Sequence, residues 1–236
     1  MKTTHRKFFR LGVVATALLM LVTFFSATVP VTTDNVTQPI EPQADVYSKL
    51  NLQQLGLSPM VYRAAVNGWQ KLRSRGAVTK NIIAICDFTQ SSNNRRLYVI
   101  DMMNGTLLFN TLVAHGRNTG EEFARSFSNE PESHKSSLGF YTTGDTYFGE
   151  HGLSLKLQGR EPGFNDKAEA RSIVMHGADY VCDNFICQFG RLGRSFGCPS
   201  VPYGQHEQII NAIKGGSCLF VYYPDKKYLS ASRLVK

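Results

Sequence analysis

From residue 81 onward, short apolar segments alternate with loops rich in glycine and serine, and this pattern constrains the fold more than any other feature. The clearest unit is a hairpin, in which Asn104-Gly105 separates strand-like runs at residues 96–102 and 106–114. Further strand-like runs lie at residues 81–88, 138–142, 153–157, 172–175 and 218–223. One helix is predicted late, at residues 203–213. Many short strands with one late helix indicate a mainly β (α+β) fold, a sandwich or a barrel.

The first 29 residues have the pattern of an export segment. Residues 1–10 carry four basic side chains and no acid, and an apolar run of 19 residues follows at 11–29. As a helix this run would span about 28 Å, which is close to the thickness of a bilayer core. Residues 1–29 are therefore predicted to be a signal peptide or an N-terminal membrane anchor, and the protein is expected to be exported to the cell envelope.

Two further segments precede the β-rich part. Residues 30–44 hold three prolines and many polar residues, and they are predicted to be a linker. Residues 45–80 are predicted to be a helical preface that packs on the main domain. Its second helix should begin at Ser58-Pro59, an N-cap followed by proline at the first helical position. Residues 81–236 would then form the main, β-rich domain.

The charge of the chain does not indicate nucleic-acid binding. The whole chain has 26 Lys+Arg, 18 Asp+Glu and a net charge of +8. Four of the basic residues and none of the acids lie in residues 1–27, so the remainder carries only +4. The sequence contains no dense Lys/Arg cluster interleaved with aromatic residues. A mildly basic exported protein suits an anionic polymer such as a cell wall, or a membrane surface.

The chemistry is concentrated in residues 172–200. His176-Gly177 ends a short apolar strand, and Cys198 follows a loop rich in glycine and arginine. A cysteine attacks carbonyl groups as its thiolate, so it needs a neighbouring base or a positive field, and a histidine can be that base. Taken singly, Cys198 could be a small buried hydrophobe and His176 a strand-end histidine. Their joint occurrence in this window favours nucleophilic catalysis.

Other residues of the same loop fit this chemistry. Gly197 allows close backbone approach, and the amide of Cys198 can contribute to an oxyanion hole. Arg191 and Arg194 would add positive potential that favours a thiolate, or they would hold a substrate carboxylate. An equally simple interpretation makes both arginines solvated loop residues.

Four separated motifs occur in the order typical of one enzyme family. They are RRLYVIDMMNGTLLFNTLVAHG, SHKSSLGFYTTGDTYFGEHGLSLKLQG, IVMHGADYV and GRLGRSFGCPSVP. Over roughly residues 81–223 the chain thereby resembles murein L,D-transpeptidase catalytic domain family proteins, which have the YkuD-type fold. The resemblance implies that Cys198 is the nucleophile, that His176 is its general base, and that the Gly177 carbonyl oxygen orients the imidazole.

The resemblance also implies a reaction and a substrate class. Cys198 would form an acyl-enzyme with a peptidoglycan stem tetrapeptide and transfer the acyl group to an amine, which gives a 3–3 cross-link. Hydrolysis by the same site, as an L,D-carboxypeptidase or cross-link hydrolase, is one alternative, and a non-catalytic wall-binding protein is another. No cofactor and no metal are implied, and a monomer is expected.

Three further positions are interpreted through the resemblance. It suggests that the run with Tyr147 and His151 lines the donor cleft, although a hairpin with a surface histidine is equally compatible. Ser195 stands three residues before the cysteine, as in the family motif. Many members have histidine two residues before the cysteine, whereas this chain has Phe196, so Ser195 or the backbone would have to suffice.

The remaining cysteines are candidates for disulfides. Cys182 and Cys187 lie five residues apart, and in an oxidising envelope they could bond and brace the loop before Cys198. Cys86 and Cys218 each lie in an apolar strand, as two buried thiols or as a cross-strand disulfide. If they are paired or buried in this way, the remaining fifth cysteine is Cys198.

Overall fold

A computed structural model of the protein describes residues 43–236. The predicted export segment, residues 1–29, and nearly all of the predicted linker lie outside the described residues. The described part of the chain belongs to one compact unit. Its first helix, α1 (Gln43–Lys49), overlaps the last two residues of the predicted linker.

The helical preface consists of α1 and a longer helix, α2 (Pro59–Ser74). As predicted, α2 begins after Ser58, whose Oγ accepts a hydrogen bond from the Val61 amide at 3.2 Å. One face of α2 is apolar, and its buried side chains include Val61, Trp69 and Leu72. These pack into the same core as the strands, so the preface and the β-rich part share one hydrophobic interior.

The β-rich part is a single eight-stranded sheet. Its strands are β1 (Ile82–Asp87), β2 (Leu97–Asp101), β3 (Thr106–Thr111), β4 (Gly139–Gly149), β5 (Gly152–Gly159), β6 (Val174–Ala178), β7 (Ser200–Pro202) and β8 (Cys218–Tyr222). The order across the sheet is β3-β2-β1-β8-β4-β5-β6-β7. Just after β3, Ala114 forms a bridge with Ser200 of β7. The two edges of the sheet therefore meet, and the sheet is a nearly closed barrel, one of the two predicted forms.

Three short helices lie after β6, after β7 and after β8. The predicted late helix is a 3-10 turn (Tyr203–Gln205) that continues into α4 (His206–Ile213). Two helices of six or seven residues were not predicted, namely α3 (Asp183–Phe189) and α5 (Lys226–Ala231). Neither is long enough to display a helical period, and α3 buries none of its residues, so no hydrophobic pattern marks it.

The expected Cys182–Cys187 disulfide is wrong, whereas Cys86 and Cys218 are the two buried thiols that the sequence offered as one alternative, since all five cysteines are free. Cys182 is the N-cap of α3 and Cys187 lies inside that helix, so more than one helical turn separates them. Cys86 pairs with Val221, whereas Cys218 pairs with Ile83. The two thiols are therefore three residues out of register, about 10 Å along the strands and on opposite faces of the sheet. Burial raises the pKa of the Cys86 thiol to about 12.

No helix within residues 43–236 is long and apolar enough to span a membrane.

Candidate active site

The position of His176 is set by β6, which lies between β5 and β7. His176 pairs with Ser154 on one side and with Ser200 on the other. Its Nδ1 lies 2.9 Å from the carbonyl oxygen of Gly177, which can only accept, so Nδ1 carries the proton and Nε2 of the neutral ring is an acceptor. This is the contact that the sequence resemblance implied for Gly177.

Gly177 also leaves room for a second histidine. A Cβ atom at this position would lie 2.6 Å from Cγ of His206, so any side chain here would displace that ring. The ring of His206 is buried and stacks on Tyr203, and its Nδ1 hydrogen-bonds to the Tyr203 carbonyl oxygen. The sequence analysis had not assigned His206 a role, and no spacing in the sequence connects it with Gly177.

The loop before β7 presents Cys198. Ser195 pairs with Gly116, and its Oγ donates to the carbonyl oxygen of Cys198 at 2.7 Å and accepts from the Gly197 amide at 3.1 Å. Ser195 is therefore a structural element of the turn that carries the cysteine. Gly197 has φ 126°, and a Cβ there would lie 2.8 Å from the carbonyl oxygen of Lys135, so the turn requires glycine.

The thiol of Cys198 faces the start of β6. The Val174 amide donates to Sγ at 3.5 Å, and Sγ lies 3.8 Å from the carbonyl oxygen of Ser172. Burial raises the pKa of this thiol, while the Val174 amide and then the charge of Arg171 act in the opposite direction. The resting group is therefore a half-buried neutral thiol beside a neutral imidazole.

Nε2 of His176 is hydrogen-bonded to a buried hydroxyl group and not to the thiol of Cys198. Ser200 Oγ lies 3.0 Å from Nε2 and accepts a hydrogen bond from the Tyr180 hydroxyl at 3.2 Å. Because Nε2 is an acceptor, Ser200 donates to it. Ser200 is fully buried, whereas Tyr180 is half-buried and lines the cleft. The sequence analysis missed both residues, although Ser200 follows Cys198 by two, the spacing that brings side chains to one face of a strand.

The positive charge that acts on Cys198 comes from Arg171. Its guanidinium donates to the carbonyl oxygens of Ser128 and Lys135 and to the hydroxyls of Ser133 and Ser137. None of these acceptors is a carboxylate, and the one carboxylate that acts on the guanidinium, Glu130, does so without a hydrogen bond, so the positive charge lies beneath the turn that carries Cys198. Nothing in the sequence near Arg171 indicates this, since its acceptors lie 34 or more residues away.

Arg191 and Arg194, which were expected to supply this potential, share one acidic partner. Arg191 Nε lies 2.9 Å from one carboxylate oxygen of Glu121, and Arg194 Nη1 lies 2.6 Å from the other. One acid therefore binds both arginines. Arg194 still lines the cleft of Cys198, whereas Arg191 lies outside it in an adjoining pocket.

His151 and Tyr147 lie where the sequence resemblance suggested, at the rim of the cleft. They belong to the β4–β5 hairpin, and both are exposed. The ring of His151 stacks on that of His176 with 4.4 Å between centroids and 20° between planes. Burial lowers the pKa of His176, the hydrogen bond to the Gly177 carbonyl oxygen opposes this shift, and the neighbouring His151 and His206 lower the pKa further, so the ring is neutral at pH 7.

These groups converge on one open cleft of about 590 Å³. Its lining includes Cys198 and His176 together with Tyr147, His151, Tyr180, Arg194 and Phe196. A thiol on the loop before β7 and an imidazole on β6 thus line the same partly buried cleft. Among residues 43–236, no group of three or more His, Cys, Asp or Glu side chains could hold a metal ion.

Comparisons with known proteins identify the family of this chain. Residues 53–222, well over half of the chain, match the family model of the L,D-transpeptidase catalytic domain. The chain is also similar to three solved structures. One is an L,D-transpeptidase from Mycobacterium smegmatis, with 10% identity, a TM-score of 0.38, and 61% of this chain and 59% of that chain covered.

The second is L,D-transpeptidase 3 from Mycobacterium tuberculosis, with 13% identity, a TM-score of 0.36 and 61% of each chain covered. The third is Bd1075 from Bdellovibrio bacteriovorus, with 17% identity, a TM-score of 0.39, and coverage of 62% of this chain and 49% of that one. The chain thus spans only about half to three fifths of the length of these structures. The comparison with curated proteins gives no match.

Proposed function

Since the chain belongs to the L,D-transpeptidase catalytic domain family, we propose that it is a cysteine acyltransferase that acts on peptidoglycan stem peptides. The observation that carries the proposal is the convergence of Cys198 and His176 in one cleft, with the imidazole oriented by the Gly177 carbonyl oxygen. A carbonyl oxygen replaces the carboxylate of a Ser-His-Asp triad in this arrangement, and it fixes the same tautomer.

The first half-reaction forms a thioester. His176 Nε2 takes the proton of the Cys198 thiol, and Sγ attacks the carbonyl carbon of the third residue of a donor tetrapeptide. The C–N bond to the terminal D-alanine then breaks, and the departing amine takes the proton from His176. Because both groups are neutral at rest, the proton moves as the bond forms, without a preformed ion pair.

Two contacts of the resting site must change for this step. Sγ has to leave the Val174 amide, and Nε2 has to exchange the Ser200 hydroxyl for the thiol proton. The amide of Cys198 donates to none of the described residues, so it is available to the oxyanion. Arg171 stabilises negative charge as it develops on Sγ.

The second half-reaction decides the product. The side-chain amine of another stem attacks the thioester, His176 accepts its proton, and the thiolate leaves, which yields a 3–3 cross-link. Tyr147 and His151 at the rim of the cleft would contact the donor strand. Water in place of the amine would give hydrolysis, and a chain that only binds the wall would give neither product.

Product analysis tests the proposal. The full chain is incubated with a disaccharide-tetrapeptide, and the products are identified by mass spectrometry. A cross-linked dimer is expected, with free D-alanine released in equal amount. A tripeptide alone would assign hydrolysis to the site and overturn transfer, and the absence of any product would overturn catalysis.

The nucleophile is tested by matched cysteine variants. Cys198→Ala and His176→Ala are expected to abolish the reaction, whereas Cys187→Ala, at an exposed cysteine outside the cleft, is expected to leave it unchanged. Activity that survives Cys198→Ala would refute the assignment of the nucleophile.

The proposed place of action is the cell envelope. The support is the basic and apolar pattern of residues 1–29 together with a substrate class that occurs only in the wall. Export either with cleavage or with a retained anchor at residues 11–29 would bring the catalytic domain to peptidoglycan. Fractionation of cells that express the full chain is expected to recover it from the envelope and not from the cytoplasm.

A further inference from the structure

A second pocket adjoins the catalytic cleft and differs from it in being lined by three arginines. It has a volume of about 660 Å³ and is lined by Arg117, Asn118, Glu121, Tyr180, Phe185, Arg191, Gly193, Arg194 and Phe196. We call it the arginine pocket. Tyr180, Arg194 and Phe196 line both spaces, so the two are continuous. A ligand in the cleft can therefore extend into the arginine pocket without leaving the surface.

The pocket carries a net positive charge. Three arginines face one acid, Glu121, whose carboxylate binds Arg191 and Arg194. Among the described residues, no carboxylate lies within ion-pair distance of Arg117, which is exposed. The net charge of these four side chains is therefore +2, and Arg117 is the arginine among them without a carboxylate partner in the described part of the chain.

The guanidinium groups are held in place before any ligand arrives. Arg194 Nη1 donates to the carbonyl oxygens of Arg117 and Gly120 as well as to Glu121. The Arg117 guanidinium lies over the ring of Phe196 at 5.3 Å, and His134 packs against the same ring at 4.6 Å. Phe196, whose side chain is 62% exposed, thus forms a ridge between the cleft and the pocket. Guanidinium groups fixed in this way are suited to carboxylates, which they bind through two parallel hydrogen bonds.

We propose that the arginine pocket is a subsite that binds a carboxylate of a peptide lying in the catalytic cleft. The identity of that peptide rests on the proposed function. The inference extends the proposed function by naming Arg117 and Arg191, which lie outside the cleft, as determinants of binding. The carboxylate has two possible sources with the same chemistry. It is either the terminal carboxylate of the donor tetrapeptide or a carboxylate of the acceptor stem.

Binding to an inactive chain tests the subsite without relying on turnover. In the full-length Cys198→Ala protein, the disaccharide-tetrapeptide is titrated by calorimetry, with and without Arg117→Gln or Arg191→Gln. Loss of one charge-assisted contact is expected to weaken binding about tenfold. Arg63→Gln on the exposed face of α2 is the matched control and is expected to change nothing. Arg117→Lys should restore part of the affinity. Equal affinity in all of these proteins would overturn the proposal.

Turnover of the wild-type cysteine then identifies the source of the carboxylate. If the donor terminus is bound, a C-terminally amidated tetrapeptide should react about tenfold more slowly than the free acid, and Arg117→Gln should abolish that difference. If the acceptor is bound, Arg117→Gln should leave D-alanine release unchanged and lower the cross-link yield. A variant that changes neither quantity would contradict the proposal. A wild-type chain without turnover would refute the proposed function, while the binding result would still decide the subsite.

Discussion

Nε2 of His176 and Oγ of Ser200 lie 3.0 Å apart, so a buried hydroxyl occupies the lone pair that the proposed proton transfer would use. The two residues are paired across β6 and β7, and the Tyr180 hydroxyl holds Ser200 from its other side. Cys198 meanwhile bonds to the Val174 amide. His176 and Cys198, the proposed base and nucleophile, thus have separate partners, and under the proposed mechanism Ser200 would compete with the thiol for Nε2.

Removal of Ser200 Oγ should therefore speed proton transfer from Cys198. Ser200→Ala is expected to increase the rate at which iodoacetamide alkylates Cys198 at pH 7 by about fivefold, the value of one ordinary hydrogen bond. Peptide-level mass spectrometry separates Cys198 from the other cysteines. Ser154→Ala is the matched control, since Ser154 flanks His176 from β5 but donates to Gly152. Slower alkylation of Ser200→Ala would make Ser200 a relay and not a competitor.

The charge of Arg171 should matter more for the thiol than the charges of Arg191 and Arg194. Arg171→Gln is expected to raise the pKa of Cys198, because the positive charge that favours the thiolate is lost. Alkylation of Cys198 at pH 8 should then be slower than in the wild type, and Arg171→Lys should retain most of the wild-type rate. Arg194→Gln is the control, because Glu121 already compensates Arg194. An equal effect of both glutamine variants would contradict this assignment.

Gly177 should tolerate no side chain while His206 is present. Gly177→Ala brings a Cβ to 2.6 Å from the His206 ring, and such overpacking costs about 1–3 kcal/mol of folding free energy. Urea unfolding of both single variants and of Gly177→Ala with His206→Ala gives a double-mutant cycle. The double variant should lose less stability than the sum of the two single variants, because the clash disappears with the ring. Strict additivity would show that the two positions are not coupled.

His115 should make the fold sensitive to acid. Burial, and then the neighbouring Arg96 charge, lower its pKa from 6.5 to about 3, and the Arg96 guanidinium lies 2.8 Å from Nδ1. Below pH 6.5 His115 is protonated in the unfolded chain but stays neutral in the folded chain. The free energy of unfolding therefore falls as the pH drops from 6.5 towards 3. This group alone should remove about 2 kcal/mol between pH 7 and pH 5.

Urea unfolding at the two pH values measures that loss. His115→Gln is expected to reduce it, although His176 contributes in the same direction and a part will remain. His134→Gln, at a half-buried ring on the Phe196 ridge, is the control and should leave the difference as in the wild type. A difference between pH 7 and pH 5 that His115→Gln leaves unchanged would refute the role of His115.

Much of the fold follows from local patterns. The Asn104-Gly105 turn, the apolar strands and the Ser58-Pro59 helix start are decided by a few neighbouring residues, and the structure confirms each of them. Elements without a local pattern were missed, as with the three residues of β7 and the exposed helix α3. The pairing of Ala114 with Ser200, which nearly closes the sheet, joins residues far apart in sequence and leaves no local trace.

The candidate site, too, has features that local sequence patterns determine and features that depend on the tertiary structure. By itself the sequence determined the fold class, the family resemblance and the pair His176 and Cys198, because residue types and short spacings carry that information. Only the tertiary structure decided which groups these residues meet. In the folded chain the Ser200 hydroxyl is hydrogen-bonded to Nε2 of His176, and Arg171 lies beneath the thiol. Glu121, about 70 residues away in sequence, forms ion pairs with both Arg191 and Arg194. Electrostatic and hydrogen-bond partners depend on distance in space, and no spacing along the chain fixes that distance before the barrel has formed.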